Sequence, residues 1–196
     1  MSGAALRTRT QSTAALREIQ APVQERLEDV VLEMRRVVTA DQPLIEQVSG
    51  HLLQIRGKMF RPTLALLASE TADTPDARVV TLAAVLELMH LASLVHDDSV
   101  DHSALRRGLP TVNSLFSHQV SVIMGDFLYS RALEALVSLG DLDLMRVLTQ
   151  VSCECETWLV PAAGHAHLEK TPGYFDRIAD GFRRALARDR MRRQLR

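Results

Sequence analysis

ELMHLASLVHDDSVDHSALRRGLPT, residues Glu87 to Thr111, is the stretch that decides how the rest of the chain reads. Its first part, with Leu88, Met89, Leu91, Leu94 and Val95, has the composition of buried helix. Three aspartates then fall within five positions, Asp97, Asp98 and Asp101, and Arg106 and Arg107 follow ahead of Gly108. On a helix, Asp97 and Asp101 project from one face, one turn apart, with Asp98 beside them. Carboxylates at the C-terminal end of an apolar helix meet the negative end of its dipole and repel one another. A divalent cation removes that penalty, and Mg2+ in particular takes one or two carboxylates together with phosphate oxygens. The arginine pair supplies forked donors of the kind phosphate accepts. The stretch therefore predicts a magnesium-bridged phosphorylated ligand beside an oily helix.

Immediately upstream, Val79, Val80, Leu82, Val85 and Leu86 extend the apolar run, so the helix from about Ala77 to Asp101 is expected at the centre of its domain. Glu87 and His90 are its polar exceptions. His90 stands seven residues before Asp97, on the same helical face, which makes it a candidate ligand contact. Further upstream lies Gly57-Lys58-Met59-Phe60-Arg61-Pro62. Proline suits the first turn of a helix, here Pro62 to Thr71. Lys58 and Arg61 would thus flank a helix N-terminus, where the dipole also favours an anion.

The remaining pattern is helical throughout. Val23, Leu27, Val30, Val31, Met34, Val37 and Val38 form one apolar stripe, ended by Asp41 and Pro43. A short helix through Leu44 and Val48 is expected to stop near Gly50 or shortly after. Beyond Thr111, an apolar run from Val112 to Leu136 predicts a second long helix with a break near Ser117 and an end at Gly140 and Asp141. Another covers Leu142 to about Trp158. No strand pattern, internal repeat or glycine-rich phosphate loop is evident, and the class predicted is all-α.

Composition narrows the function. The chain has 196 residues, 46% hydrophobic and 24% charged, enough for one sizeable core. A net charge of −1 and 4% aromatics argue against nucleic acid as a partner. The N-terminus lacks the apolar core of a signal peptide, and no apolar run is expected to span a bilayer, so the protein is read as cytoplasmic and not transmembrane. Cys153 and Cys155, with His165 and His167, lack zinc spacing. The division expected is a loose arm over 1–20, a helical domain over 21–160 and a divergent basic segment over 161–196, whose residues from Arg177 hold eight arginines against two aspartates. That tail is read as a solvated end; a helical adaptor or nucleic-acid protein would rest on it alone.

Three strings, in order and spacing, resemble the trans-type polyprenyl diphosphate synthases. HDDSVDHSALRRGLPTVN is similar to that family's first aspartate-rich motif and arginine pair. RGKMFRP, Arg56 to Pro62, resembles its Gly-Lys-Arg-x-Arg-Pro element, with Met59 where arginine is usual, and GDFLYSRAL, Gly125 to Leu133, its Gly-Asp helix segment. The resemblance runs from about Val23 to Thr149 and implies a helical bundle of the isoprenoid synthase type. It implies that an allylic diphosphate ionises with Mg2+ and that the double bond of isopentenyl diphosphate attacks the cation. Carried over, Asp97, Asp98 and Asp101 would be the metal and catalytic residues, with Arg106 on the allylic diphosphate. Lys58, Arg61, His90 and Arg107 would hold isopentenyl diphosphate. Ala92 and Ser93, small where bulky residues stop chain growth early in the family, imply a long product.

The family's second aspartate-rich motif, with its Phe-Gln pair, has no counterpart here, and Lys170-Thr171 precedes Tyr174-Phe175 instead of following a matching helix. The expected fold is therefore about the first half of the family's, and the chain alone is expected to be impaired. Three readings stand open: a subunit completing its site with another polypeptide, a truncated or frameshifted relative, or a non-catalytic, regulatory subunit of a heteromeric prenyl synthase. Half a fold leaves apolar surface, so a homodimer or a heteromer with a full-length relative is expected.

Overall fold

In a computed structural model, which describes residues 14–55, 57–71 and 76–163 (backbone alone from 154), the apolar run becomes the axis of the fold. The chain divides into two compact units, Met1–Leu139 and Gly140–Arg196. In the first, residues 14–20 are helical and a 3-10 turn, Ala21–Val23, leads into α1, Gln24–Val37. Then come α2, Pro43–Gln54, α3, Phe60–Glu70, and α4, Arg78–Val100. A hairpin of two-residue strands, β1 Leu105–Arg106 and β2 Leu109–Pro110, precedes α5, Val112–Leu115, and α6, His118–Ser138.

Helix α4 packs against α1, α3, α5 and α6. Val85, Leu88, Ala83 and Ala84 are fully buried on it, and Val30, Leu66, Leu128 and Leu136 meet the same core from α1, α3 and α6. The α4–α6 seam is close because small residues line it: Ser121, Gly125 and Ala132 are all buried. Ser121 Oγ donates to Val95 O at 3.3 Å, and a Cβ at Gly125 would overlap the His96 ring. By length and composition α4 would suffice to cross a bilayer, contrary to the expectation that no apolar run is long enough. It is the core helix instead, with half of its most apolar window buried.

Several boundaries differ from the sequence pattern for local reasons. α2 continues through Gly50, whose missing side chain would face open space, to Gln54. α3 starts two residues before Pro62, at Phe60, with Met59 in the left-handed region at φ 51°. The break near Ser117 is real: Ser117 caps α6, its hydroxyl accepting from Val120 N at 3.2 Å. The hairpin was not legible, because two-residue strands have no period. Its register pairs Leu105 with Pro110 and Arg106 with Leu109. The loop residues Arg107 and Gly108 both have positive φ, 54° and 83°, as a type I′ turn requires.

In the second unit α7, Leu142–Ala163, starts at Asp141, whose Oδ1 accepts from Asp143 N and Leu144 N at 3.0 and 3.1 Å. It runs past the Trp158 expected from sequence. The arm over 1–13, the zinc reading of His165 and His167, Lys170-Thr171 and the basic tail lie outside the described residues.

Candidate functional site

The last turns of α4 and the hairpin after it carry the charges. Asp97 is half-buried, Asp98 buried and Asp101, the C-cap, exposed. The hairpin turns the chain back so that Arg106 reaches Asp98: Nε donates to Oδ2 at 2.6 Å and Nη2 to Oδ1 at 2.7 Å. Both Asp98 oxygens are thus engaged in a bidentate pair, the strong form of an arginine–carboxylate contact. Thr111 Oγ1 and Asn113 Nδ2 donate to Ser103 O at 2.6 and 3.3 Å, and His51 Nε2 lies 2.9 Å from Pro110 O. These bonds fix the hairpin against α2 and α5.

Asp97 and Asp101 remain, one turn apart. Burial pushes the Asp97 carboxyl up, and the negative charges of Asp101 and Asp98 add to this against Arg106 and His96. A half-buried carboxyl whose proton affinity is raised beside a second acid one turn on is a donor pair that a hard cation fits. Among the described residues no three His, Cys, Asp or Glu side chains cluster as a metal cage.

On the other side of Arg106 the field is positive. His90 is held neutral, down to about 4, by burial first and then by Arg61, Arg107 and Arg106. Glu87, 8% exposed, is pushed up by burial while Arg61 and Arg107 pull it down. Its Oε2 is buried without a hydrogen-bond partner. Lys58 is exposed, and its carbonyl accepts from Gln20 Nε2 at 2.9 Å; the same nitrogen meets Thr63 Oγ1 at 2.9 Å. Arg107 Nη1 donates to Ile55 O at 3.0 Å, at the C-terminal end of α2. Arg61, Arg106 and Arg107 thus share the field felt at His90. Arg106 also feels the charges of Asp98, Asp97 and Asp101.

Sequence reasoning did not single out Gln20 or His96, whose Nε2 lies 3.3 Å from Oδ1 of Asp126 in the Gly-Asp segment, and it gave Gly57 no role of its own. The only signal for Gly57 was its place before Lys58. Ala92 is buried, whereas Ser93 is exposed and its hydroxyl donates to His90 O at 2.8 Å.

The polyprenyl synthetase family profile matches residues 42–157, more than half of the chain. The chain belongs to the polyprenyl synthetase family. A prenyl transferase of Synechocystis is 40% identical over 134 residues, 67% of this chain and 42% of that protein. Heptaprenyl diphosphate synthase component 2 of Bacillus subtilis is 34% identical over 122 residues, 62% of this chain and 35% of that protein. Among solved structures, a Caulobacter crescentus polyprenyl synthase, crystallised with calcium and isoprenyl diphosphate, superposes with a TM-score of 0.74 at 27% identity. That match covers 83% of this chain and 50% of the other. The chain has the all-α architecture of the isoprenoid synthases in truncated form and spans about half the length of the relatives it matches, or less.

Proposed function

We propose that this chain supplies the diphosphate-gripping half of a long-chain prenyl diphosphate synthase. It would act in isoprenoid biosynthesis in the cytoplasm, on isopentenyl diphosphate and an allylic diphosphate. The observation that carries the reading is the bidentate Asp98–Arg106 pair, whose arginine acts on Asp97 and, together with Arg61 and Arg107, on His90. A site with cation-seeking acids at one end and a positive field at the other suits two diphosphates of different roles.

In the reaction, the allylic C–O bond breaks, diphosphate leaves with the electron pair, and the new C–C bond forms from the isopentenyl double bond; a proton is then lost. Asp97 and Asp101 would hold Mg2+, which when bound neutralises charge on the leaving diphosphate, while Asp98, expected from sequence as a third ligand, is taken up by Arg106 instead. Arg106 stands beside the same group. Arg61, Arg107 and Lys58 would bind isopentenyl diphosphate, and neutral His90 can donate a hydrogen bond to it without adding charge. Along α4 the buried Ala92 leaves room for a growing chain, hence the long product.

These 196 residues hold one aspartate-rich cluster, so by themselves they should turn over very slowly or not at all. Condensation of labelled isopentenyl diphosphate should appear on co-expression with a full-length relative or on restoring a second half. Steady turnover by the chain alone, abolished by Asp98→Ala, would refute the half-site reading. Likeness to a protein named as component 2 of a heptaprenyl synthase supports assembly with another subunit, and within such a heteromer a second reading is a non-catalytic or regulatory subunit. Co-expression that restores no activity even with Asp97 and Asp98 intact favours that one.

A further inference from the structure

Arg107 occupies a position that an L side chain adopts at a cost, φ 54° in a two-residue hairpin loop where glycine or asparagine is usual. Its side chain leaves the loop and reaches the segment joining α2 to α3. Nη1 donates to Ile55 O, a carbonyl at the end of α2 that has no helical partner of its own. Beyond Ile55 the guanidinium lies on Gly57. A Cβ there would stand 2.6 Å from Nη2, 2.8 Å from Cζ and closer still to Nη1. Those atoms are the far end of a flexible side chain, so the cheapest response to a methyl group at position 57 is to expel Arg107. Yet Arg107 as a residue remains exposed, so its outer edge still faces solvent. The same segment is gripped one residue on, where Gln20 binds the Lys58 carbonyl.

We infer that Gly57 is a positioning residue: its bare Cα is the seat that aims the Arg107 guanidinium, and so couples the hairpin to the Gly57-Lys58 segment as one anion-capturing unit. Gly57 contributes no group to the anion. Its contribution is the absence of a side chain at the one point where Arg107 must lie flat. The anion-capture part rests on the diphosphate reading above; the seating itself does not.

A double-mutant cycle on the full chain separates the two. The variants are Gly57→Ala, Arg107→Gly and the double substitution. Arg107→Gly removes the side chain while giving the loop the residue its φ favours. In urea unfolding, Gly57→Ala should destabilise the protein with Arg107 present and have a much smaller effect in the Arg107→Gly background. Equal effects in the two backgrounds overturn the seat. Should Gly57→Ala alone fail to fold, the double variant should fold; its failure too overturns the seat. In calorimetric titration with inorganic pyrophosphate, Gly57→Ala and Arg107→Gly should each weaken binding about tenfold, and the double variant no further than Arg107→Gly. Additive losses, or unchanged binding by Gly57→Ala, overturn the positioning role. Absence of pyrophosphate binding by the wild-type chain sinks the diphosphate reading and the anion-capture part together, while the unfolding cycle still decides the seating.

Discussion

Removing Arg106 should harm the fold more than removing the charge of Asp98, although the two make the same pair of hydrogen bonds. The Asp98 side chain is 9% exposed, whereas the Arg106 side chain is 29% exposed. Arg106→Ala strands a buried carboxylate with two empty acceptors, the situation in which breaking an ion pair costs about 3–5 kcal/mol. Asp98→Asn keeps the shape and one acceptor, and leaves a guanidinium that water can reach, so a loss of about 1–2 kcal/mol is expected. Replacing both, as Asp98→Asn with Arg106→Met, should cost less than Arg106→Ala alone, because no charge is left buried. The assay is urea unfolding followed by far-UV circular dichroism and linear extrapolation, in chelator so that no ion substitutes for the arginine. Equal losses for the two single variants, or a double variant worse than Arg106→Ala, would refute the claim that the pair is held together by the burial of Asp98.

Asp97→Ala should weaken binding of an allylic diphosphate at least tenfold in magnesium and matter little in chelator, and equal loss in both conditions counts against Asp97 as a cation ligand. His90 binds its proton at about 4 in the fold against an ordinary 6.5, so the unfolded chain takes up the proton first as pH falls. Stability should therefore drop between pH 6.5 and 4, by about 1–2 kcal/mol after allowance for solvent screening, and His90→Gln should flatten that part of the curve; an unchanged slope would remove His90 as the cause. The chain should self-associate or bind a relative, since Val122, Ile123 and Val137 are exposed on α6; light scattering that gives a stable monomer at micromolar concentration would sink this.

The sequence by itself determined the class and the place of the chemistry. A run as apolar as Val79 to Val95 has to leave water, so α4 was expected at the axis of its domain with Asp97, Asp98 and Asp101 at its end, and packing against four other helices shows it there. The break at Ser117 and the stop at Gly140 were legible because capping and positive φ depend on the local residue. The partners of those residues were not legible. Asp98 could have faced a cation or an arginine, and only the turn at Arg107 and Gly108, invisible to any periodicity, brings Arg106 back onto it. Glycine is ambiguous for the same reason: Gly50 lies within a helix with open space beside it, while Gly57 is a seat for a residue fifty positions away. Hydrophobic period and capping are local properties of the chain. Which charge neutralises which, and which surface must stay bare, is set by the approach of segments distant in sequence, and that only tertiary packing decides.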